Sequence, residues 1–267
     1  MPPLKLFSRC LLPLAVSALC LCGTRVFAED KPSAEKVAQI RTSAEQGDAA
    51  SQAELAGLYH FGKGVKLDHA EEVKWFRKAA DQGFAPAQHN LGICYTDGIG
   101  VASDLAEAFK WFKKAADQGY IDGQYRVGQC YNEGNGIPKN DEEAILWLEK
   151  AANGDDLDAK ADLAYIYCVR SVALKDEFKA SRDLDKSDGL YRGCQVEAYM
   201  WCNLAIAAGN SSQKNNLLKL TDMMSTEDIK HAQYMSSVWK PGVWEPGSRQ
   251  PGNIPGILGG LNYTPYR

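Results

Sequence analysis

The chain is poor in the residues that usually mark chemistry. Its 267 residues hold four histidines, His60, His69, His89 and His231, scattered along the sequence. Metal ligation calls for ligands clustered at turn or helix spacing, so no metal is expected. No C-x-x-C pair occurs, and neither G-x-S-x-G nor H-E-x-x-H is present. Carboxylate pairs such as Glu71-Glu72 and Glu142-Glu143 fit helix starts open to solvent, so they carry no catalytic expectation. The expectation is a chain without catalytic residues and without a cofactor.

Basic charge is also scarce, with 30 Lys and Arg against 34 Asp and Glu and a net charge of −4. Nucleic-acid binding calls for a basic stripe, and nothing polybasic points to an anionic membrane. Long apolar runs are missing too. The longest, Leu11 to Gly23, has 13 residues and is too short to span a bilayer. With Lys5 and Arg9 before it and Val26-Phe27-Ala28 after it, the run predicts a secretory signal peptide over residues 1–28. The expected product is exported, periplasmic or secreted, with no stable membrane insertion after cleavage. Cys10, Cys20 and Cys22 leave with the signal. Cys94, Cys130, Cys168, Cys194 and Cys202 remain, an odd number that leaves at least one without an internal partner.

What the chain does have is a repeat. Tyr59, Tyr95 and Tyr131 stand 36 residues apart, as do Trp75, Trp111 and Trp147. Gly62 and Gly64 recur as Gly98 and Gly100, then as Gly134 and Gly136, while Ala79-Ala80 recurs as Ala115-Ala116 and Ala151-Ala152. A fixed period of this length is the mark of a solenoid. With 45% apolar and 24% charged residues, most of the chain has the composition of a folded protein.

Each unit predicts two helices. The first runs over Ala49 to Phe61, Ala85 to Asp97 and Tyr120 to Glu133, with a stripe such as Leu91, Cys94 and Tyr95 facing the core. Gly62, Gly98 and Gly134 stop it. Gly98-Ile99-Gly100 lacks the third glycine and the preceding strand of a phosphate loop, so these glycines read as structural. The second helix opens with Asp68, Asp104 or Asn140 as N-cap. Glu71, Glu107 or Glu143 follows three residues on, the pattern of a capping box.

The pattern L-G-x-x-Y-x-x-G-x-G-V-x-x-D, followed by A-x-x-W-x-x-K-A-A-x-x-G, resembles the Sel1-like repeat, a relative of the tetratricopeptide repeat. That resemblance implies an all-α fold, a right-handed α-solenoid of antiparallel helix pairs. The expected layout after the signal is an N-terminal cap helix over 29–48 and repeats over 49–84, 85–120, 121–156 and 157–210. The fourth repeat carries an insert over about 171–193, because its tryptophan, Trp201, arrives late. This insert either lengthens the first helix or forms a surface excursion. Closing helices over 211–239 and a Pro/Gly-rich tail over 240–267, expected to be disordered, complete the chain.

Cys94 and Cys130 fall on the core stripe and are expected to be buried and free. Cys168 and Cys194 bracket the insert and could staple its base, while Cys168 with Cys202 is the rival pairing; spacing leaves both open. In tetratricopeptide repeats the variable positions of the first helix face a concave groove and contact peptide. Carried onto this chain, the resemblance proposes His89, Ile93, Thr96, Tyr125, Gln129, Asn132 and Tyr165 as a binding surface. The implied function is a protein–protein interaction scaffold for a protein or peptide partner. The alternatives implied are penicillin binding or weak β-lactamase activity, seen in cysteine-rich secreted relatives, and a secreted host-interaction factor. The first would call for regular disulfides in each repeat, which the phase of Cys94 and Cys130 does not provide.

Overall fold

The computed structural model describes residues 32–180 and 184–242, with the side chains of 175–190 left out. The expected signal peptide and nearly all of the tail lie outside these residues.

Eleven α-helices and no strand are found among the described residues. A lone helix, α1 (Ala34–Glu45), precedes three pairs of near-identical length. These are α2 (Ala49–Phe61) with α3 (His69–Asp81), α4 (Ala85–Asp97) with α5 (Leu105–Asp117), and α6 (Ile121–Glu133) with α7 (Asp141–Asn153). The fourth pair, α8 (Leu157–Ala180) and α9 (Leu184–Ala207), is far longer. A single 3₁₀ turn (Ser211–Gln213), α10 (Lys214–Met223) and α11 (Thr226–Val238) close the array. Helices α1 to α9 each pack on their chain neighbours, and α10 and α11 both pack on α9, giving a right-handed α-solenoid.

Repetition of the core follows from repetition of size. Trp75, Trp111 and Trp147 are buried, and each is covered by the lysine one turn on: Lys78, Lys114 and Lys150 lie 3.7, 3.7 and 3.6 Å from the ring centres. These cations keep the wet edge of each indole screened while their own heads reach water. Phe112 and Leu148 press on the first helix of their own unit at Gly92 and Gly128. An added Cβ there would lie 2.5 and 2.7 Å from them.

The connection inside each pair is one recurring device. Gly62, Gly98 and Gly134 take φ of 63°, 71° and 79°, and the next residue donates to the carbonyl five back: Lys63 to Leu58, Ile99 to Cys94, Asn135 to Cys130. That left-handed stop leaves the following tyrosine carbonyl open. The N–H of each N-cap fills it: Asp68 to Tyr59, Asp104 to Tyr95, Asn140 to Tyr131. The N-caps do accept from Glu71, Glu107 and Glu143 as expected, at 3.0 to 3.1 Å. The reciprocal half of the capping box is not made in these units, because the cap N–H is already used. Glu71 turns outward to Lys74 and the Trp75 indole, and Glu107 to Lys110.

The second loop glycine sets the stacking distance. A Cβ on Gly100 would collide with the carbonyl of His69, the first residue of α3, and one on Gly136 with that of Leu105, the first residue of α5. These positions are again 36 residues apart, so the loops of the second and third units each rest on the helix start of the preceding unit. Buried glutamines tie the other end of the stack. Gln52 and Gln88 donate to the Ala44 and Ala80 carbonyls of the helix before, and accept from Gln82 and Gln118 at 2.7 Å.

The insert resolves into helix. Residues 171–180, free of Pro and Gly, continue α8, and α9 begins well before Trp201. α9 also carries the closing helices. Arg192 holds Asp228 of α11 through two bonds of 3.0 and 2.9 Å, Ser225 caps α11, and Trp201 meets Trp239 edge to face at 6.0 Å.

Two alanine substitutions separate conformational strain from contact. Gly83 has φ 87° and open space around it, so Gly83→Ala is expected to cost about 1 kcal/mol. Gly100→Ala combines φ 66° with a backbone collision and is expected to cost roughly 3 kcal/mol or more. Urea denaturation of both variants checks the difference; equal losses would contradict the stacking role of Gly100.

Candidate functional site

The first helices α4, α6 and α8 carry the residues proposed from sequence. At the earliest of these positions the units differ, with His89 buried and Tyr125 half-buried. His89 is 4% exposed, packed between Phe112 of α5 and Tyr120 at the start of α6 at ring separations of 5.7 and 5.5 Å. It does not reach the groove surface, because the start of the next unit lies over it. Later turns are open: Ile93, Thr96, Gln129 and Asn132 are half-buried, and Tyr165 is 54% exposed.

Ile93, Thr96 and Gln129 meet in one cleft of about 210 Å³, together with Asp97, Arg126 and Glu133. Two of its lining residues, Arg126 and Gln129, begin a hydrogen-bonded chain. Arg126 donates to the Gln129 carbonyl at 3.1 Å, and the Gln129 amide donates to the Tyr125 hydroxyl at 2.7 Å. Asp162 of α8 lies beside Tyr125. Burial lifts the Asp162 carboxyl to about 6, with Tyr125 acting in the opposite direction. Arg126, Asp162 and the acidic rim were not singled out from sequence. Their signal was available: Glu54, Asn90, Arg126 and Asp162 share one phase of the repeat and differ in charge.

No disulfide joins Cys94, Cys130, Cys168, Cys194 or Cys202. Cys94 and Cys130 are buried in the core, and burial raises both thiols, Cys130 to about 11. Cys168 and Cys202 influence each other's charge, which lowers the Cys168 thiol and raises that of Cys202.

A second cluster corrects the expectation that the histidines are scattered. His60, at the end of α2, and His69, at the start of α3, both reach Glu72. His60 Nδ1 lies 2.9 Å from Oε1 and His69 Nδ1 lies 2.7 Å from Oε2. Glu72 is only 1% exposed, so its predicted place on a solvated helix start is also wrong. The loop folds α3 back on α2, which brings together residues that fit no ligand spacing along the chain.

The fold defines a class: a solenoid of antiparallel helix pairs. The family model for the Sel1 repeat matches residues 49–84, 85–120 and 121–156. The Sel1 repeat protein from Oxalobacter formigenes is 35% identical, with 48% of this chain and 97% of that one covered and a TM-score of 0.46. The chain belongs to the Sel1-repeat family. The Escherichia coli protein c5321, a protective antigen of uropathogenic strains displaying an SLR fold, is 27% identical, with a TM-score of 0.51. The match covers 76% of this chain and 49% of c5321, so the chain spans about half its length. Cysteine rich protein B from Helicobacter pylori is 21% identical, with 49% of this chain and 98% of that one covered and a TM-score of 0.42. A search of curated proteins finds no match. Sel1-repeat proteins are generally protein-interaction scaffolds and typically non-enzymatic. Among the described residues, no helix is long and apolar enough to cross a membrane.

His89 makes a pH dependence. Burial first, and then the Arg126 charge, lowers its imidazole to about 3 from an ordinary 6.5. Below pH 6.5 the unfolded chain takes up a proton that the folded chain refuses, so this site loses stability as pH falls from 6.5 toward 3 and is fully stable above. His89→Phe, which keeps a ring against Phe112 and Tyr120, is expected to flatten the fall in urea midpoint between pH 6.5 and 4. Parallel falls in parent and variant would contradict a neutral buried His89.

Proposed function

We propose that the chain is an exported adaptor that holds a peptide or protein segment of a partner along its concave groove, centred on the cleft between α4 and α6. One observation carries this: residues that depart from the repeat consensus, Ile93, Thr96 and Gln129, share a cleft with Arg126, and Gln129 is hydrogen-bonded to both Arg126 and Tyr125. Asn132 and the exposed Tyr165 extend the same face toward α8. An array held rigid by its own consensus residues loses little entropy on binding, so contacts made there yield affinity efficiently. Amide and hydroxyl groups suit the backbone of an extended segment, and Tyr165 and Ile93 offer apolar anchors. The apolar run after Lys5 and Arg9 supports export.

Gln129→Ala combined with Asn132→Ala changes two half-buried polar positions outside the hydrophobic core. Cross-linking capture from the exported fraction is expected to recover a partner with the parent chain and at least tenfold less with this variant. Lys110→Ala, on an exposed part of α5, is expected to capture as the parent does. Equal capture by all three would remove the groove from the proposal. N-terminal sequencing of the exported product is expected to begin at Glu29; a product beginning at Met1 would contradict cleavage.

A further inference from the structure

Glu72 stands where the other repeats have an alanine. Ala108 and Ala144 occupy its phase, 1% and 0% exposed, and Glu72 is buried as deeply at 1%. A buried carboxylate is tolerated only when both oxygens are satisfied by charge or hydrogen bonds. Here each oxygen meets a different imidazole, His60 Nδ1 at 2.9 Å and His69 Nδ1 at 2.7 Å, and the Cys94 thiol of the next unit donates to Oε1 at 3.6 Å. His60 and His69 also break the pattern: Thr96 and Asn132 share the phase of the first, Leu105 and Asp141 that of the second. Three exceptions to the repeat therefore converge on one point, at the seam between the first two units.

We infer that His60, His69 and Glu72 form a binding site for a divalent transition metal ion, with zinc the natural occupant. Their donor atoms all lie within 4.8 Å of one another. Tetrahedral zinc with bonds of about 2.0–2.1 Å spaces its ligands about 3.3 Å apart. Both imidazoles now approach the carboxylate slightly closer than that, so a small outward movement of the rings opens the space. Each imidazole would bind through Nδ1, its single proton passing to Nε2, which leaves both rings neutral. Two imidazoles and a carboxylate form a donor set suited to zinc with a fourth position left for water. The burial fits this division: the His60 side chain is 13% exposed and that of His69 40%, so one side of the site opens to solvent while Glu72 anchors the other. Cys94 takes the outer role, orienting the carboxylate from the neighbouring unit.

Occupancy would pin the end of α2, the start of α3 and, through Cys94, the stripe of α4, stiffening the seam beside the groove. The site does not depend on the groove binding a partner. A hydrogen-bonded clasp with no metal function is the competing account, and the two differ in their response to zinc.

The test uses the chain after signal removal and zinc chloride alone, followed by isothermal titration and by the shift in melting temperature. The parent is expected to bind one equivalent and to melt higher with zinc. The repeat itself supplies replacements: Glu72→Ala, His69→Leu and His60→Thr install the residues found in phase in the next unit. Each is expected to bind about 100-fold more weakly and to lose the zinc-induced shift. Circular dichroism identifies which variants are folded, and any one folded variant suffices. No zinc binding by the parent would overturn the site. So would binding that persists undiminished in Glu72→Ala and His69→Leu, which would place the metal elsewhere, on the facing Cys168 and Cys202 thiols or on His231.

Discussion

The architecture depends on how closely one unit can approach the next. The loop glycines Gly100 and Gly136 lie against the backbone carbonyls that open α3 and α5, with no room for a single methyl group. That contact recurs every 36 residues and sets the separation of the helix pairs. The rest adapts to it: Gly92 and Gly128 admit Phe112 and Leu148, the tryptophans fill the remaining width, and Gln52 and Gln88 bridge helix ends that would otherwise expose carbonyls. A stack closed this tightly leaves its first helices in a fixed array, which is what gives the concave side a defined surface.

Against that constant frame, departures from the pattern are informative because the frame does not require them. On the groove they are side chains of mixed chemistry, and beside it stands Asp162, whose carboxyl is raised by burial. At the first seam they are His60, His69 and Glu72, where a charge replaces an alanine within the core. In the fourth unit the departure is one of length. Helices α8 and α9 have 24 residues each, and α9 offers the surface on which α10 and α11 close the array.

Much was legible before any coordinate. The first-helix spans, the N-caps at Asp68, Asp104 and Asn140, and the burial of Cys94 and Cys130 all follow from periodicity, because each rests on contacts within one unit or on a pattern stated three times. Where the expectations failed, the reason was tertiary. The capping boxes stayed half-made because the cap N–H bonds a tyrosine carbonyl one helix earlier. His89 left the groove because the following unit covers it. Glu72 left the solvent because the loop folds two histidines onto it.

The sequence by itself determined the unit, its two helices and their stacking, since a period of 36 residues written in glycine, tryptophan and alanine admits one way of burying its apolar stripes. Only the tertiary structure decided which of the variable residues are exposed, which are covered and which meet. Exposure at a groove position is set by the neighbouring unit, and a cluster such as His60, His69 and Glu72 exists only where a turn reverses the chain. Distances of that kind are properties of the packed stack, and no local pattern encodes them.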